Sequence, residues 1–126
     1  MNIAAIDIGL KRIGAAICLH EGIITPLDAI LRQNRVQAAR DIDELLCEYK
    51  VEILVVGLPT NDEMKRRIKH FVSLLKFQGR VVFTDEDFSS HEAKERIKGV
   101  VKQKRDGRID SIAAAIILKR FKEGER

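Results

Sequence analysis

The sequence predicts an α/β fold built on a mixed five-stranded sheet flanked by helices. Three apolar segments joined by short turns occupy residues 2–31, and the remaining chain alternates apolar runs of strand length with stretches of helical period. Consecutive strands on short turns pair antiparallel, whereas strands separated by a helix pair parallel. With 126 residues, 45% of them hydrophobic, we expect a single domain over residues 1–126 with one core.

The N-terminal strands are predicted at Asn2–Ile8, Arg12–Leu19 and Ile23–Leu31. They are expected to form an antiparallel meander because only short turns connect them. A helix is predicted next, over Arg35–Lys50, with Asn34 as its N-cap. The apolar positions that repeat at helical spacing in this segment are Val36, Ala39, Ile42, Leu46 and Tyr49.

The pattern then changes to a continuous apolar run, Ile53–Val56, closed by Gly57 and Pro59, which is typical of a strand covered on both faces. Thr60 and Glu63 have the spacing of a capping box and predict the start of a second helix. The apolar stripe of this helix is Met64, Ile68, Phe71, Val72 and Leu75, with Lys65, Arg66 and Lys69 outside it.

Gly79 is expected to end the second helix, and Val81–Phe83 forms a buried strand that runs into Thr84, Asp85 and Glu86. A third helix is predicted from Ser89, interrupted near Gly99. The last helix is predicted over Ile109–Phe121.

Composition excludes several classes of protein. Asp7, Lys11, Arg12 and His20 interrupt the apolar N-terminus, so neither a membrane span nor a signal peptide is expected, and we predict a cytoplasmic protein. Two cysteines, Cys18 and Cys47, lie in apolar surroundings without CxxC spacing. We expect both to be buried, reduced thiols and expect no structural zinc.

Asp7 is the first candidate for a functional acid. Alternation along the first strand places Ile3, Ala5, Asp7 and Gly9 on one face, directed at packed structure. A carboxylate in such a place must be hydrogen-bonded, paired, neutral or bound to a cation. The alternative is a carboxylate that caps the turn at 9–11.

Further candidate acids lie at the end of the fifth strand and at the start of the last helix. Asp85 and Glu86 occupy the carboxyl end of the fifth strand, where ligands gather in open α/β sheets. Asp110 begins the last helix on the same side as Ala113 and Ala114, which allow close packing on a sheet. Its alternative role is to complement the helix macrodipole.

If Asp7, Asp110 and an acid at the end of the fifth strand converge, their oxygens form the kind of pocket that binds Mg²⁺ or Mn²⁺. Two such ions about 3.5–4 Å apart can activate water and stabilise the leaving oxygen of a phosphodiester. This is the chemistry that a metal-dependent nuclease uses.

A basic segment precedes the last helix. The net charge of +4 is modest, but residues 94–108 carry seven basic side chains against two acidic ones. The segment is a candidate surface for nucleic-acid phosphates, with a solvated helix face as the alternative. The residues predicted to bind nucleic acid here are Lys98, Lys102, Lys104, Arg105 and Arg108.

Four blocks resemble the signature segments of the YqgF/RuvX family, in the family's order: Asp7–Gly14, Val56–Pro59, Asp85–Ser90 and Ile109–Ala114. The resemblance implies an RNase H-like fold related to Holliday junction resolvases. It also implies a nuclease that matures the 5′ end of precursor 16S ribosomal RNA. The expected partner is then precursor rRNA or the pre-ribosomal small subunit, bound by a monomer or a homodimer.

By the same resemblance, Asp7, Glu86 and Asp110 take the positions of the metal-binding acids, and Lys11 and Arg12 contact a phosphate beside them. The sequence departs from the family at two points. Asp87 stands where the family usually has arginine, and the loop after Pro59 is shorter than usual. Neither departure removes an expected metal ligand.

Other functions remain open at this point. Within the nuclease class, the alternative substrate is a four-way DNA junction, for which a two-fold dimer is the usual arrangement. A nucleotide-binding half-domain is a second alternative, although its usual two lobes exceed this length. A non-catalytic RNA-binding module is the third; with 5% aromatic residues, phosphate contacts would dominate its binding.

Overall fold

Five strands and three helices make up the described chain. The computed structural model describes residues 1–20, 22–85 and 108–124, without the side chains of residues 108–110. In chain order the elements are β1 Ile3–Ile8, β2 Arg12–Cys18, β3 Thr25–Leu31, α1 Arg35–Glu48, β4 Ile53–Leu58, α2 Asp62–Ser73, β5 Arg80–Asp85 and α3 Arg108–Gly124. The helix predicted from Ser89 lies outside the described residues.

The strands form one mixed sheet in the order β3-β2-β1-β4-β5. β1 pairs antiparallel with β2, and β2 with β3, while β4 is parallel to both β1 and β5. The predicted mixed five-stranded sheet is therefore confirmed. β3 is an edge strand, which accommodates Pro26 because proline cannot donate to a neighbouring strand. β3 begins later than predicted, and Ile23 is 87% exposed.

Helices cover both faces of the sheet. α1 and α2 pack on one face, where Ala4, Ile6 and Ile8 of β1 contribute to the larger core. α3 packs on the other face, against Ala5 of β1 and the buried side chains of β2 and β4. Alternate residues of β1 thus enter different cores, as the predicted alternation requires.

α1 begins as predicted, with Asn34 as its N-cap. The Gln37 amide donates to Asn34 Oδ1 at 2.7 Å, and the Gln37 side chain accepts from the Asn34 amide. This reciprocal pair satisfies donors at the open end of the helix. After the helix ends at Glu48, Lys50 adopts a positive φ of 50°, which turns the chain toward β4.

Two side chains of α1 contradict the predicted burial. Its buried side consists of Ala38, Ala39, Ile42 and Leu46. Val36 is 75% exposed and Cys47 is also exposed. At 100° per residue both project roughly 100° or more from the centre of this buried stripe. The expectation of two buried thiols is therefore wrong for Cys47 and confirmed for Cys18.

The predicted bounds of α2 are wrong at both ends. Its N-cap is Asn61 rather than Thr60, and Asn61 Oδ1 accepts a hydrogen bond from the Met64 amide at 3.0 Å. The predicted capping box from Thr60 to Glu63 is not formed. Asn61, one residue after Thr60, is an equally good N-cap and takes that position. The helix ends at Ser73, well before Gly79.

Gly79 has a different role from the predicted helix stop. A Cβ atom there would lie 2.5 Å from the Glu52 carbonyl oxygen and closer still to the Phe77 ring. The adjacent Arg80 amide donates to that same carbonyl at 3.0 Å. Gly79 therefore permits the close approach that starts β5 beside β4.

No helix in residues 1–20, 22–85 and 108–124 is long and apolar enough to cross a membrane.

Candidate functional site

Asp7 lies near the carboxyl end of β1, in the middle of the sheet. Its Cα partner on β2 is Gly14, and its side chain is half-buried. Because Ala5 enters the core beneath α3, alternation directs Asp7 to that same face. Among the described residues, no donor forms a hydrogen bond with the Asp7 carboxylate and no cation pairs with it.

A tight turn follows Asp7 and joins β1 to β2. The Gly9 amide donates to the Arg12 carbonyl at 2.9 Å. A Cβ on Gly9 would lie 2.8 Å from that carbonyl oxygen, closer than real Cβ atoms come to their neighbours. The missing side chain therefore allows the close approach of backbone within the turn.

Arg32 holds this hairpin from the end of β3. Its amide donates to the Lys11 carbonyl at 2.8 Å, and its Nη1 donates to the Gly9 carbonyl at 2.6 Å. The guanidinium carbon lies 5.4 Å from the centre of the Phe71 ring. One side chain therefore connects the turn beside Asp7 to α2.

Ser111 fixes the beginning of α3 against the sheet. Its side chain is fully buried, and its Oγ accepts a hydrogen bond from the Ala15 amide at 3.1 Å. Ala15 follows Gly14, the partner of Asp7, and lies at a register shift between β2 and β3. The backbone of Asp110 is therefore at the same end of the sheet as Asp7.

The ends of β4 and β5 complete this edge. Val56 of β4 is in register with Ile6 of β1 and with Phe83 of β5. Asp7 and Thr84 each follow one residue later, so they share a row about 10 Å apart, two strand spacings. β5 ends at Asp85, and Glu86 follows it directly in the chain.

The three predicted metal ligands are only partly described. Asp7 and the backbone of Asp110 lie at one edge, whereas Glu86 and the Asp110 side chain lie outside the described residues. Within the described ranges, no three histidine, cysteine or carboxylate side chains group together. The convergence of the three acids stays a prediction. Asp7 itself fits a metal ligand, because its oxygens meet no other cation or donor among the described groups.

The residues predicted to bind nucleic acid divide in the same way. Lys11 and Arg12 are exposed on the hairpin after Asp7, at the carboxyl edge of β1. Arg108 begins α3, although its side chain is not described. The other residues of the basic segment that were predicted to bind nucleic acid fall outside the described residues: Lys98, Lys102, Lys104 and Arg105.

Sequence reasoning missed Ser111 and Arg32. A serine inside a helix carries no positional signal unless its tertiary partner is known. Arg32 lies between a strand and a helix cap, where an arginine has many possible roles. The helical period did find the face of α3 that covers the sheet, since Ala114 and Ile117 enter that core, but Ala113 joins a separate cluster with Ile116.

Comparison with known proteins places the whole chain among nucleases. A protein-family model described as "RuvX: Holliday junction resolvase" matches residues 1–123. A curated protein of Sulfurovum sp. strain NBC37-1, named "Putative pre-16S rRNA nuclease", is 57% identical over 124 residues, covering 95% of this chain and 97% of the relative. A protein of the same name from Campylobacter lari is 49% identical over 126 residues, covering 96% and 97%.

Solved structures show the same fold at low sequence identity. A Thermus thermophilus RuvC bound to a Holliday junction substrate matches with a TM-score of 0.64 and 14% identity, covering 99% of this chain and 96% of that one. The fowlpox virus resolvase in complex with Holliday junction DNA matches with a TM-score of 0.61 and 14% identity over the full length of both chains. The predicted RNase H-like fold is confirmed.

Proposed function

Because this chain belongs to the RuvX family, we propose that it is a divalent-metal-dependent nuclease that acts in the cytoplasm on precursor 16S rRNA. The names of its curated relatives support this substrate. We further propose that residues 1–126 act as a single nuclease domain. The observation that carries the proposal is the position of Asp7, a half-buried carboxylate at the edge where α3 begins.

Asp7, Glu86 and Asp110 are the side chains that would hold Mg²⁺ or Mn²⁺, and we propose two ions. Their carboxylate oxygens are the ligands these hard cations prefer. A divalent ion in such a site supplies stabilisation of the charge that develops on a phosphodiester during hydrolysis. Asp7 belongs to the central strand of the sheet, so its carboxylate is presented by a rigid element.

Lys11 and Arg12 are proposed to orient the substrate phosphate. Both are exposed on a hairpin whose backbone is fixed by the Gly9 turn and by Arg32. Cationic donors on a rigid turn can bind a phosphate oxygen with little loss of backbone freedom. Arg12 already has an interaction with the protein, so Lys11 is the more available of the two.

The second candidate substrate is a four-way DNA junction, which the description of the family itself names. Fold similarity to junction-bound resolvases does not decide between the two, because a shared fold hosts different substrates. Cleavage of the RNA and of the DNA junction therefore has to be compared under one set of conditions.

The test compares cleavage of two end-labelled substrates, a fragment spanning the 5′ end of precursor 16S rRNA and a four-way DNA junction. Each is incubated with Mg²⁺, with Mn²⁺ or with EDTA, using wild-type protein and the Asp7→Asn variant. We expect metal-dependent cleavage of the RNA by the wild-type protein alone. Cleavage of the junction alone would show that the substrate is junction DNA rather than precursor rRNA. Equal cleavage by wild-type protein and Asp7→Asn would show that Asp7 is not part of the active site.

A matched control is Asp62→Asn, which removes one negative charge from the exposed first turn of α2. This variant should cleave like the wild-type protein, because Asp62 has no part in the proposed site. A loss of activity in Asp62→Asn would indicate a general effect of charge rather than a metal ligand.

A further inference from the structure

A basic cleft of about 450 Å³ lies between the β1–β2 hairpin, the start of α1 and α2. It is on the face of the sheet opposite α3. Four arginines and His70 line it, and none of the lining residues is acidic. We call it the arginine cleft, after Arg32, Arg35, Arg66 and Arg67. None of these residues belongs to the predicted nucleic-acid-binding set.

The charges of the arginine cleft are largely uncompensated. Arg35 and Arg66 are exposed, and neither they nor Arg32 pair with a carboxylate of the described residues. Arg67 does pair with Glu63 at 2.9 Å, through an exposed interaction one helical turn apart. Exposed pairs of this kind contribute little free energy, so an anion can compete for Arg67.

Arg32 gives the cleft one pre-positioned cation. The contacts with Gly9 and Phe71 described above fix its half-buried guanidinium. Guanidinium has five N–H donors, and the bond to Gly9 uses one of them. The remaining donors stay available in a geometry suited to a phosphate.

The floor of the cleft and one part of its rim are apolar. Ile8 and Phe71 lie at its base, and Leu10, at the tip of the hairpin, is 75% exposed. Leu10 thus places an apolar side chain beside the four arginines. Apolar side chains next to cations suit a ligand with both a charged backbone and flat apolar faces.

We propose that the arginine cleft binds the phosphate backbone of a single-stranded RNA segment that continues from the scissile site around the hairpin. The inference rests on the proposed function and extends it. Asp7 and Ile8 are neighbours on opposite faces of β1, so only the turn at residues 9–11 separates the candidate active site from the cleft.

The shape of the cleft favours a single strand over a duplex. In a duplex the base faces are stacked inside the cylinder, so they cannot reach an apolar floor. A single strand can follow a concave surface and expose its bases to side chains such as Leu10 and Met64. The strand leading to or from the cleavage point would lie here.

The test measures binding of single-stranded and duplex RNA of equal length by fluorescence anisotropy, over a range of KCl concentrations. EDTA is present, so that cleavage cannot contribute. The variant is Arg35→Ala/Arg66→Ala, which removes two exposed cations of the cleft. The matched control is Arg40→Ala/Lys76→Ala, which removes two cations elsewhere on the same face of the sheet and changes the net charge equally.

For single-stranded RNA we expect the cleft variant to bind about 10-fold or more weakly at low salt. The slope of log K against log salt should fall in magnitude by about 0.7 for each phosphate that the variant no longer binds, or about 1.4 for two. The control should keep the wild-type slope, and duplex binding should change less than single-strand binding. Arg35→Lys/Arg66→Lys should restore most of the slope, because it retains both charges.

Three results would overturn the inference. The first is a common slope for the cleft and control variants, and the second is a larger loss in duplex binding than in single-strand binding. The third is an acidic peptide that binds the control but not the cleft variant while the two variants keep equal RNA affinity, which would identify an acidic protein as the occupant. RNA binding is measured without metal, so a negative result for the arginine cleft would leave the cleavage test on Asp7→Asn unaffected, and the reverse also holds.

Discussion

The Ser111 hydroxyl accepts a hydrogen bond from the Ala15 amide at 3.1 Å, and both residues are fully buried. The two lie 96 positions apart in the chain. Ala15 is next to Gly14, which faces Asp7 across β1 and β2, and Ser111 is next to Asp110. A single buried polar interaction thus fixes the relative position of two residues proposed to bind the same metal.

We expect Ser111→Ala to lower the free energy of unfolding by about 1–3 kcal/mol, because it leaves the buried Ala15 amide without an acceptor. Urea denaturation followed by circular dichroism measures the change. The control is Ser73→Ala at the exposed end of α2, which should stay within about 0.5 kcal/mol of wild type. Equal denaturation midpoints for the two variants would show that the Ala15 amide finds another acceptor.

We expect Asp7→Asn to lower the rate of metal-dependent cleavage about 100-fold or more, since a Lewis-acid contribution of several kcal/mol depends on this ligand. The fold should survive, because asparagine has the same shape and no described cation loses its partner. Single-turnover kinetics and a thermal melt on the same preparation separate the two effects. A rate within a few-fold of wild type would exclude Asp7 from the mechanism.

We expect Mg²⁺ or Mn²⁺ to raise the melting temperature of the wild-type protein. A ligand that binds only the native state at 100 times its Kd stabilises by about 2.7 kcal/mol. The shift should disappear on addition of EDTA and should be absent in Asp7→Asn, as measured by differential scanning fluorimetry. An equal shift in both proteins would locate metal binding elsewhere in the chain.

Gly9→Ala should destabilise the protein by about 1–3 kcal/mol, because its Cβ would lie 2.8 Å from the Arg12 carbonyl oxygen and force the hairpin to shift. Gly124→Ala is the matched control, since a Cβ at the end of α3 meets nothing within 4 Å. That substitution should be neutral or add up to about 0.5 kcal/mol through helix propensity. The order of the two melting temperatures checks the prediction, and the reverse order would contradict it.

A thiol reagent should modify Cys47 rapidly in the native protein and Cys18 only on unfolding. Cys47 is exposed, whereas Cys18 is buried and its Sγ lies 3.0 Å from Lys122 Nζ. Reaction with a chromogenic disulfide should therefore release one equivalent quickly and the second with denaturant. Cys47→Ser should remove the fast phase; a fast phase that persists would show that Cys18 is accessible.

The sheet could be predicted from the sequence because its signals are local. The change of period after residue 50, the short turns of the first three strands and the run Ile53–Val56 each report burial directly. The pairing of the first three strands follows from the same pattern, since short turns favour antiparallel neighbours. The alternation that put Asp7 on the α3 face also follows from backbone geometry alone.

The predicted helix bounds and buried positions were wrong where two sequence signals close together in the chain pointed to different structures. Thr60 and Asn61 are both good N-caps, and the choice depends on how β4 ends rather than on either residue. Val36 and Cys47 are apolar residues within the helical segment. The buried side of α1 is centred on other residues, and both Val36 and Cys47 project away from it into solvent. Gly79 is a residue type that often ends helices, but here it allows the backbone at the start of β5 to approach the Glu52 carbonyl oxygen closely.

Of the described part of the candidate site, the sequence indicated Asp7 but not the residues that support it. Asp7 carries a signal because a carboxylate in an apolar strand is costly. Ser111 and Arg32 act through partners distant in sequence, at Ala15 and Gly9, and no spacing rule connects them. The arginine cleft was missed for the same reason, since its cations come from two separate segments that only the fold brings together.

Two hydrogen bonds join α3 to β2 at opposite ends of the helix. Ser111 Oγ accepts from the Ala15 amide near its start, and Lys122 Nζ donates to Cys18 Sγ near its end. Two hydrogen bonds at opposite ends of the helix oppose both its rotation about its own axis and its movement along the sheet. We therefore expect the first turn of α3 to keep its position at the Asp7 edge of the sheet when a nucleic acid binds.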